Sequence, residues 1–339
     1  MSINFNEYHY LPPGFLDCNA KSLYKVIPGP SLIHLKGKKE QPVFVSILLH
    51  GNETVGLKAI QRLLKAYQDE DLPRSLSIFV GNVDAAAQGL RRLDYQPDYN
   101  RMWPRLTEEV PLTAEAALMQ QVTDKMRENS VFASIDLHNN TGLNPHYACI
   151  NKLDNRFFHL ANLFSQTVVY FLQPEGVQSA AMAEICPAVT LECGHVDDES
   201  GVEHAFEYLD ACIQLSEIPE TPLAKGKMNL FHTVATVKVP EEFDFSYSDS
   251  TKDIYFNPEL ETYNFRELEE NTFFALTHPD KDIKLSVTDE RGENVVEKYF
   301  SFDNNEIRTR HKFMPSMITS NEKVIRQDCL CYLMERYPW

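Results

Sequence analysis

The chain is predicted to form an α/β domain, a mixed and largely parallel sheet with flanking helices, followed by a smaller, mainly β domain. Three observations predict this. Through the first two-thirds, short apolar runs alternate with helix-period segments. Those runs are apolar almost without interruption, as strands buried on both faces are. Beyond residue 227 the texture changes to alternating, β-like segments. A chain of 339 residues is long for one domain and comfortable for two.

In chain order, strands are expected at 43–49 (VFVSILL), 76–83 (LSIFVGNV), 131–137 (VFASIDL), 146–150 (HYACI), 167–172 (TVVYFL) and 188–193 (AVTLEC). Between the first two, 54–68 places Ile60, Leu63, Leu64 and Tyr67 on one helical stripe. Further helices are expected at 112–128, 155–166 and 200–217. The segment IPETPLAKGK (218–227), with two prolines and a glycine, marks a boundary. Residues 1–222 are therefore read as one domain and 223–339 as the second. The latter carries β-like runs at 233–239, 284–289, 294–302 and 324–334. There is no internal repeat and no low-complexity tract.

Hydrophobic and charged fractions of 43% and 24% are those of an ordinary globular protein. With 32 basic and 49 acidic residues the formal charge is −17. That balance argues against nucleic acid and anionic membrane as partners, since both need a basic footprint. No apolar run approaches the roughly 18 residues of a membrane span. The opening MSINFNEYHYLPPGF lacks the basic and apolar regions of a secretion signal. Seven cysteines without a CxxC pair form neither a disulfide framework nor a cysteine-rich zinc site. Cys329 and Cys331 fall on an expected strand, and Cys186 and Cys193 suit buried packing. Reduced thiols fit a cytoplasmic location.

The chemistry concentrates at strand ends. His50 and Glu53 lie three apart where the first buried strand hands over to a helix. His138 ends the run VFASIDLH and Glu192 ends AVTLEC. In open α/β sheets, sites form outside the carboxyl ends of strands. Two histidines and a glutamate leave the fourth position of a tetrahedral Zn²⁺ open, as catalytic zinc sites do. Glu192 is then available as the base. Singly, each residue has an ordinary reading: Glu53 as an acid favoured at a helix start, His138 as a core histidine, Glu192 as half of a salt bridge. Together they point to a zinc-dependent hydrolase with one Zn²⁺ per chain.

Four motifs extend this pattern: HGNE at 50–53, GNVDAAAQGLRRLDYQPDYNRMW at 81–103, DLHNNTG at 136–142 and LECG at 191–194. In this order, over roughly residues 43–200, they resemble the succinylglutamate desuccinylase/aspartoacylase family, a branch of the zinc carboxypeptidase-like fold. The resemblance implies His50, Glu53 and His138 as zinc ligands and Glu192 as the catalytic glutamate. It implies Asn100 and Arg101 as a clamp for a substrate carboxylate, for which a planar guanidinium is suited. It also implies an oxyanion-stabilising arginine at Arg92, with Arg91 as the alternative, and Asp98 as a residue that orients Arg101.

One departure bears on substrate. Aspartoacylases carry a further arginine, upstream of the catalytic glutamate, for the second carboxylate of an acidic substrate, whereas here no arginine occurs between Arg156 and Arg266. Lys225, Lys227 and Lys238 are the available substitutes. Tyr247, Tyr255 and Tyr263 are candidates for the family's late substrate-lining tyrosine. His195, directly after LECG, is a candidate for the pocket wall, while His146 and His204 suit core or surface positions. The expected activity is hydrolysis of the amide bond of a small N-acyl amino acid. The alternatives are a zinc carboxypeptidase acting on a peptide terminus and a non-catalytic metal-binding protein on the same scaffold.

Overall fold

The computed structural model describes residues 3–105, 113–196 and 198–339. The chain divides into two compact units, one of residues 1–139 with 146–229 and one of 140–145 with 230–339.

The first unit contains β1 (Asn6–Tyr8), β2 (Ser31–Leu35), β3 (Lys39–Ile47), α1 (Val55–Ala66), β4 (Arg74–Val80), α2 (Val83–Gln88) and α3 (Ala114–Glu128). It continues with β5 (Ala133–Asn140), β6 (Tyr147–Ile150), α4 (Asn155–Phe164), β7 (Thr167–Tyr170), α5 (Gln178–Met182), β8 (Ala188–His195) and α6 (Glu199–Gln214). Its strands lie in the order β1-β2-β4-β3-β5-β8-β6-β7. The pairs β1/β2, β3/β4, β3/β5 and β6/β7 are parallel, while β2/β4 and β6/β8 are antiparallel. The mixed, largely parallel α/β sheet expected from the sequence is therefore present. All six expected strands and four expected helices form. Only the start of the second helix, placed at Leu112, lies outside the described residues.

The continuous apolar runs have the physical cause proposed for them. Residues 43–47 of β3 and all of β5 are buried, so neither face of these strands can carry exposed polar side chains. Helix α1 buries Leu57, Ile60, Leu63 and Leu64, each such side chain worth about 1.5–3 kcal/mol of transfer free energy. β3 stops short of its expected end because Leu48 takes a left-handed backbone, φ 55°, which breaks the pleat. The Asn82 amide, bonded to the Leu48 carbonyl at 2.7 Å, holds that turn. The chain is thereby re-aimed just before His50.

The second unit adds β9 (Asn229–Lys238), β10 (Phe245–Ser246), β11 (Ile254–Phe256), β12 (Phe273–Thr277), β13 (Ser286–Asp289), α7 (Val296–Tyr299), β14 (Phe300–Asp303), β15 (Glu306–Thr309), β16 (Met314–Ser316), α8 (Glu322–Gln327) and β17 (Cys331–Arg336). β10-β11-β12-β15-β14 make a five-stranded sheet. β9 pairs with β13 and β17, and β17 with β16, all antiparallel. Phe256, Phe274, Phe300 and Phe313 meet edge to face in its core. The unit is mainly β, as expected, but two of its runs are not wholly strand. The run 324–334 begins as α8, because Asn321 accepts a bond from the Val324 amide and so caps a helix. The run 294–302 begins as the helical turn α7, with Asn294 bonded to the Val296 amide. In both cases a local side-chain bond to the backbone overrides the apolar pattern.

Candidate metal centre

β3 and β5 run parallel and in register, Ser46 opposite Asp136, so the segments that follow them emerge at the same sheet edge. His50 and Glu53 occupy a tight turn closed by the Glu53 amide on the His50 carbonyl at 3.1 Å. Gly51 permits this turn to lie against α2: a Cβ there would come within 2.2 Å of the Ala86 nitrogen. The Gly51 amide donates to the Arg91 carbonyl at 3.0 Å, tying the turn to the loop that carries the arginines.

His50, Glu53 and His138 converge, each offering one ligand atom within 4.8 Å of the others. His50 Nδ1 lies 2.9 Å from Glu53 Oε1, and His138 Nδ1 lies 2.7 Å from Glu53 Oε2. The opposite ring nitrogens are both held by carboxylates: His50 Nε2 by Asp98 Oδ1 at 3.0 Å, and His138 Nε2 by Asp136 Oδ2 at 2.8 Å. Carboxylates accept only, so both nitrogens of each ring face acceptors; a cation taken up between Nδ1 and Glu53 would leave the ring proton on Nε2, facing Asp98 or Asp136. Two imidazole Nδ1 atoms and a carboxylate thus converge in a buried space, a donor set that a divalent cation could share. All three residues are 3–4% exposed. The donor set therefore fits a divalent metal.

The electrostatics agree. Burial opposes ionisation of Glu53, but His50 and His138 outweigh it and hold the carboxyl well below its usual range. Burial and Arg91 pull the His50 pKa down, yet Glu53 and Asp98 leave it raised. Burial likewise opposes protonation of His138, and Asp136 and Glu53 override it strongly. The cluster favours positive charge where a metal would lie.

Glu192 stands beside these groups on β8. It is 8% exposed, and its Oε2 has no hydrogen-bond partner among the described residues. Burial, reinforced by Glu53 and opposed by His138, pushes its carboxyl up to about 7. A buried, unpaired carboxylate oxygen costs about 1–3 kcal/mol, and such an atom calls for an explanation, of which a catalytic role or a bound water or ion is one. A carboxylate of this kind is poised to exchange protons near neutrality.

Residues 40–214, just over half of the chain, match the model of the succinylglutamate desuccinylase/aspartoacylase catalytic domain. The chain belongs to this family. Succinylglutamate desuccinylase from Chromobacterium violaceum is similar in fold, with a TM-score of 0.57 at 16% identity, covering 89% of this chain and 86% of that one. Murine aminoacylase 3 superposes with a TM-score of 0.56 at 14% identity, covering 88% and 96%. The product-bound ectoine utilization protein EutE (DoeB) from Ruegeria pomeroyi gives 0.55 at 15% identity, covering 89% and 88%. At these identities the likeness concerns the fold. No curated protein matches the chain in sequence.

In this desuccinylase/aspartoacylase-family chain the adjacent Arg91 and Arg92 of the 81–103 motif face different partners. Arg91 donates from Nη2 to Asp98 Oδ2 at 2.9 Å and lies 3.7 Å from Glu53 Oε1. Arg92 donates to the Gln96 carbonyl at 2.8 Å. Asn100 is buried with its amide engaged on both sides: Oδ1 accepts from the Gln178 amide at 2.9 Å, and Nδ2 donates to Asp136 at 3.3 Å. Arg101 donates to the Asn100 carbonyl at 2.8 Å. Two residues on, Trp103 anchors this loop edge to face against Phe44 of β3 and Phe79 of β4. Asp98, expected to orient Arg101, has its oxygens on His50, Arg91 and the Asn100 amide, and Arg101 reaches it as a neighbouring charge.

His195 is exposed. His146 and His204 stack at 5.2 Å, and His204 bonds the Phe164 carbonyl, so both serve packing. Lys225, Lys227 and Lys238 are exposed. Within the second unit, Tyr247 bonds the Thr319 carbonyl and Tyr263 accepts from Asn257. Asp136 in the metal-facing network is fixed by Ser46 Oγ at 2.7 Å. Ser46 and Gln178 carried no sequence signal, since their partners lie 90 and 78 residues away.

Proposed function

We propose that this chain is a zinc-dependent hydrolase that cleaves the amide bond of a small N-acyl amino acid, with one Zn²⁺ held by His50, Glu53 and His138. The observation that carries the proposal is the convergence of two imidazole Nδ1 atoms and a carboxylate beside Glu192, whose Oε2 has no partner among the described residues. Zinc bound there would polarise the scissile carbonyl and lower the pKa of water. Glu192 takes the proton from the attacking water and returns it to the leaving amine. Asp98 and Asp136 keep both imidazoles in the tautomer that offers Nδ1. Arg101 is the proposed clamp for the substrate carboxylate, with Asn100 holding the loop that presents it. All these residues lie in the first unit, which supports residues 1–222 as the catalytic domain and 223–339 as an appended, mainly β domain. Among the described residues no helix is long and apolar enough to cross a membrane. The seven free thiols support a reducing, cytoplasmic location.

For the oxyanion role the geometry favours Arg91 over Arg92, because Arg91 has its guanidinium 3.7 Å from Glu53 while Arg92 bonds a loop carbonyl. Arg91→Ala is expected to depress kcat by roughly 10²–10³-fold, the usual worth of a group meeting charge that develops only in the transition state. Arg92→Ala should leave kcat within about threefold of wild type. The opposite pattern in steady-state kinetics would return the role to Arg92.

The substrate class is tested by assaying the zinc-loaded protein against N-acyl amino acids and short peptides. Turnover is expected on N-acyl amino acids, with mono- and dicarboxylic members accepted comparably, because the sequence supplies one identifiable carboxylate clamp. Activity confined to peptides would favour the carboxypeptidase alternative. Strict dependence on a second carboxylate would show that another cation completes the pocket.

A further inference from the structure

Asn139 contacts every segment that carries a proposed ligand or the proposed base. It follows His138 in β5, so its side chain points to the opposite face of the strand, where it is 3% exposed. Its backbone N–H donates to Glu53 Oε2 at 3.2 Å, the same oxygen that His138 Nδ1 approaches. Its side-chain Oδ1 accepts from the Val55 amide at 3.0 Å. Its Nδ2 donates to the carbonyls of Gly194 at 3.2 Å and His195 at 3.4 Å, just beyond Glu192 on β8.

The first of the two side-chain bonds supplies something α1 lacks. A helix begins with amides that have no partner inside it, and Thr54, at the cap position, makes no side-chain bond to them. Asn139 satisfies the Val55 amide from a strand 84 residues away in sequence. The second bond ties the same planar group to the end of β8. A primary amide suits both tasks, since it carries an acceptor and a donor side by side on one rigid plane. A carboxylate cannot donate to the carbonyls, and alanine can do neither.

We propose that Asn139 is a positioning residue for the metal centre, fixing the His50–Glu53 turn, His138 and the strand end behind Glu192 relative to one another. The proposal rests on the metal-hydrolase function above. Its test is zinc affinity, by competition with a chromophoric chelator, together with kcat and KM at saturating zinc, for Asn139→Ala and Asn139→Asp in the full chain. Asn139→Ala should weaken zinc binding roughly 10- to 100-fold, the usual effect of losing a group that orients metal ligands. Its kcat at saturating zinc should fall while KM stays within about twofold. Asn139→Asp keeps an acceptor for the Val55 amide but sets a carboxylate oxygen against the Gly194 and His195 carbonyls in place of a donor, so it too should lose zinc affinity and kcat. If Asn139→Ala does not fold, Asn139→Asp decides the matter. Zinc affinity and kcat within about twofold of wild type, with only a lowered melting temperature, would reduce Asn139 to a helix cap and overturn the proposal. A wild-type protein that binds no zinc would instead overturn the metal-hydrolase function itself.

Discussion

Glu192→Gln is expected to lower kcat by roughly 10²–10⁴-fold, the usual contribution of general acid–base catalysis, with zinc content and fold intact. Glutamine matches glutamate in size, and Oε2 of Glu192 bonds nothing among the described residues, so that position loses no partner. What disappears is a proton acceptor that burial has pushed up to about 7. Because the group acts on the reacting water and not on bound substrate, KM should change far less than kcat. Steady-state kinetics at saturating zinc, with circular dichroism as the check on folding, make the measurement. Turnover near wild type would show that Glu192 is structural and that another base operates.

Stripping the metal is expected to abolish turnover and to lower thermal stability. Without a cation, the Glu53 carboxylate faces Nδ1 of His50 and of His138 directly in a site that is almost fully buried. Protons can replace the metal in part, which is why both histidines have raised pKa values, but they neither fill the space nor activate water. A ligand present at 1,000 times its Kd stabilises the folded state by about 4 kcal/mol. For a unit of this size that corresponds to roughly 2–4 °C per kcal/mol. Calorimetry and activity before chelation, after it, and after zinc is restored should show loss and recovery of both. An unchanged melting temperature with full activity after chelation would exclude a resident metal.

The strand ends were readable because burial on both faces leaves an uninterrupted apolar run, and a histidine or glutamate closing such a run stands out. His50, His138 and Glu192 are all of this kind. Glu53 followed from its spacing to His50. The residues behind them were less readable. Asp98 sits in an irregular loop with no period, and its bond to His50 spans 48 residues. The same loop hides the distinction between Arg91 and Arg92, adjacent residues whose side chains diverge only through backbone geometry. Asn139 lies inside a recognised motif, yet its partners at 55, 194 and 195 become neighbours only through strand order. In the second unit, apolar alternation predicts strand at Val324 and Val296, where capping by Asn321 and an Asn294 turn impose helix.

The most direct test is the zinc content of purified wild-type protein beside that of His50→Ala and His138→Ala, by inductively coupled plasma mass spectrometry. The His50–Glu53–His138 arrangement predicts about one equivalent per chain in wild type and near zero in both variants, as expected for a three-ligand site with an open position. Equal metal content in wild type and variants, or none in wild type after growth and purification in added zinc, would contradict it.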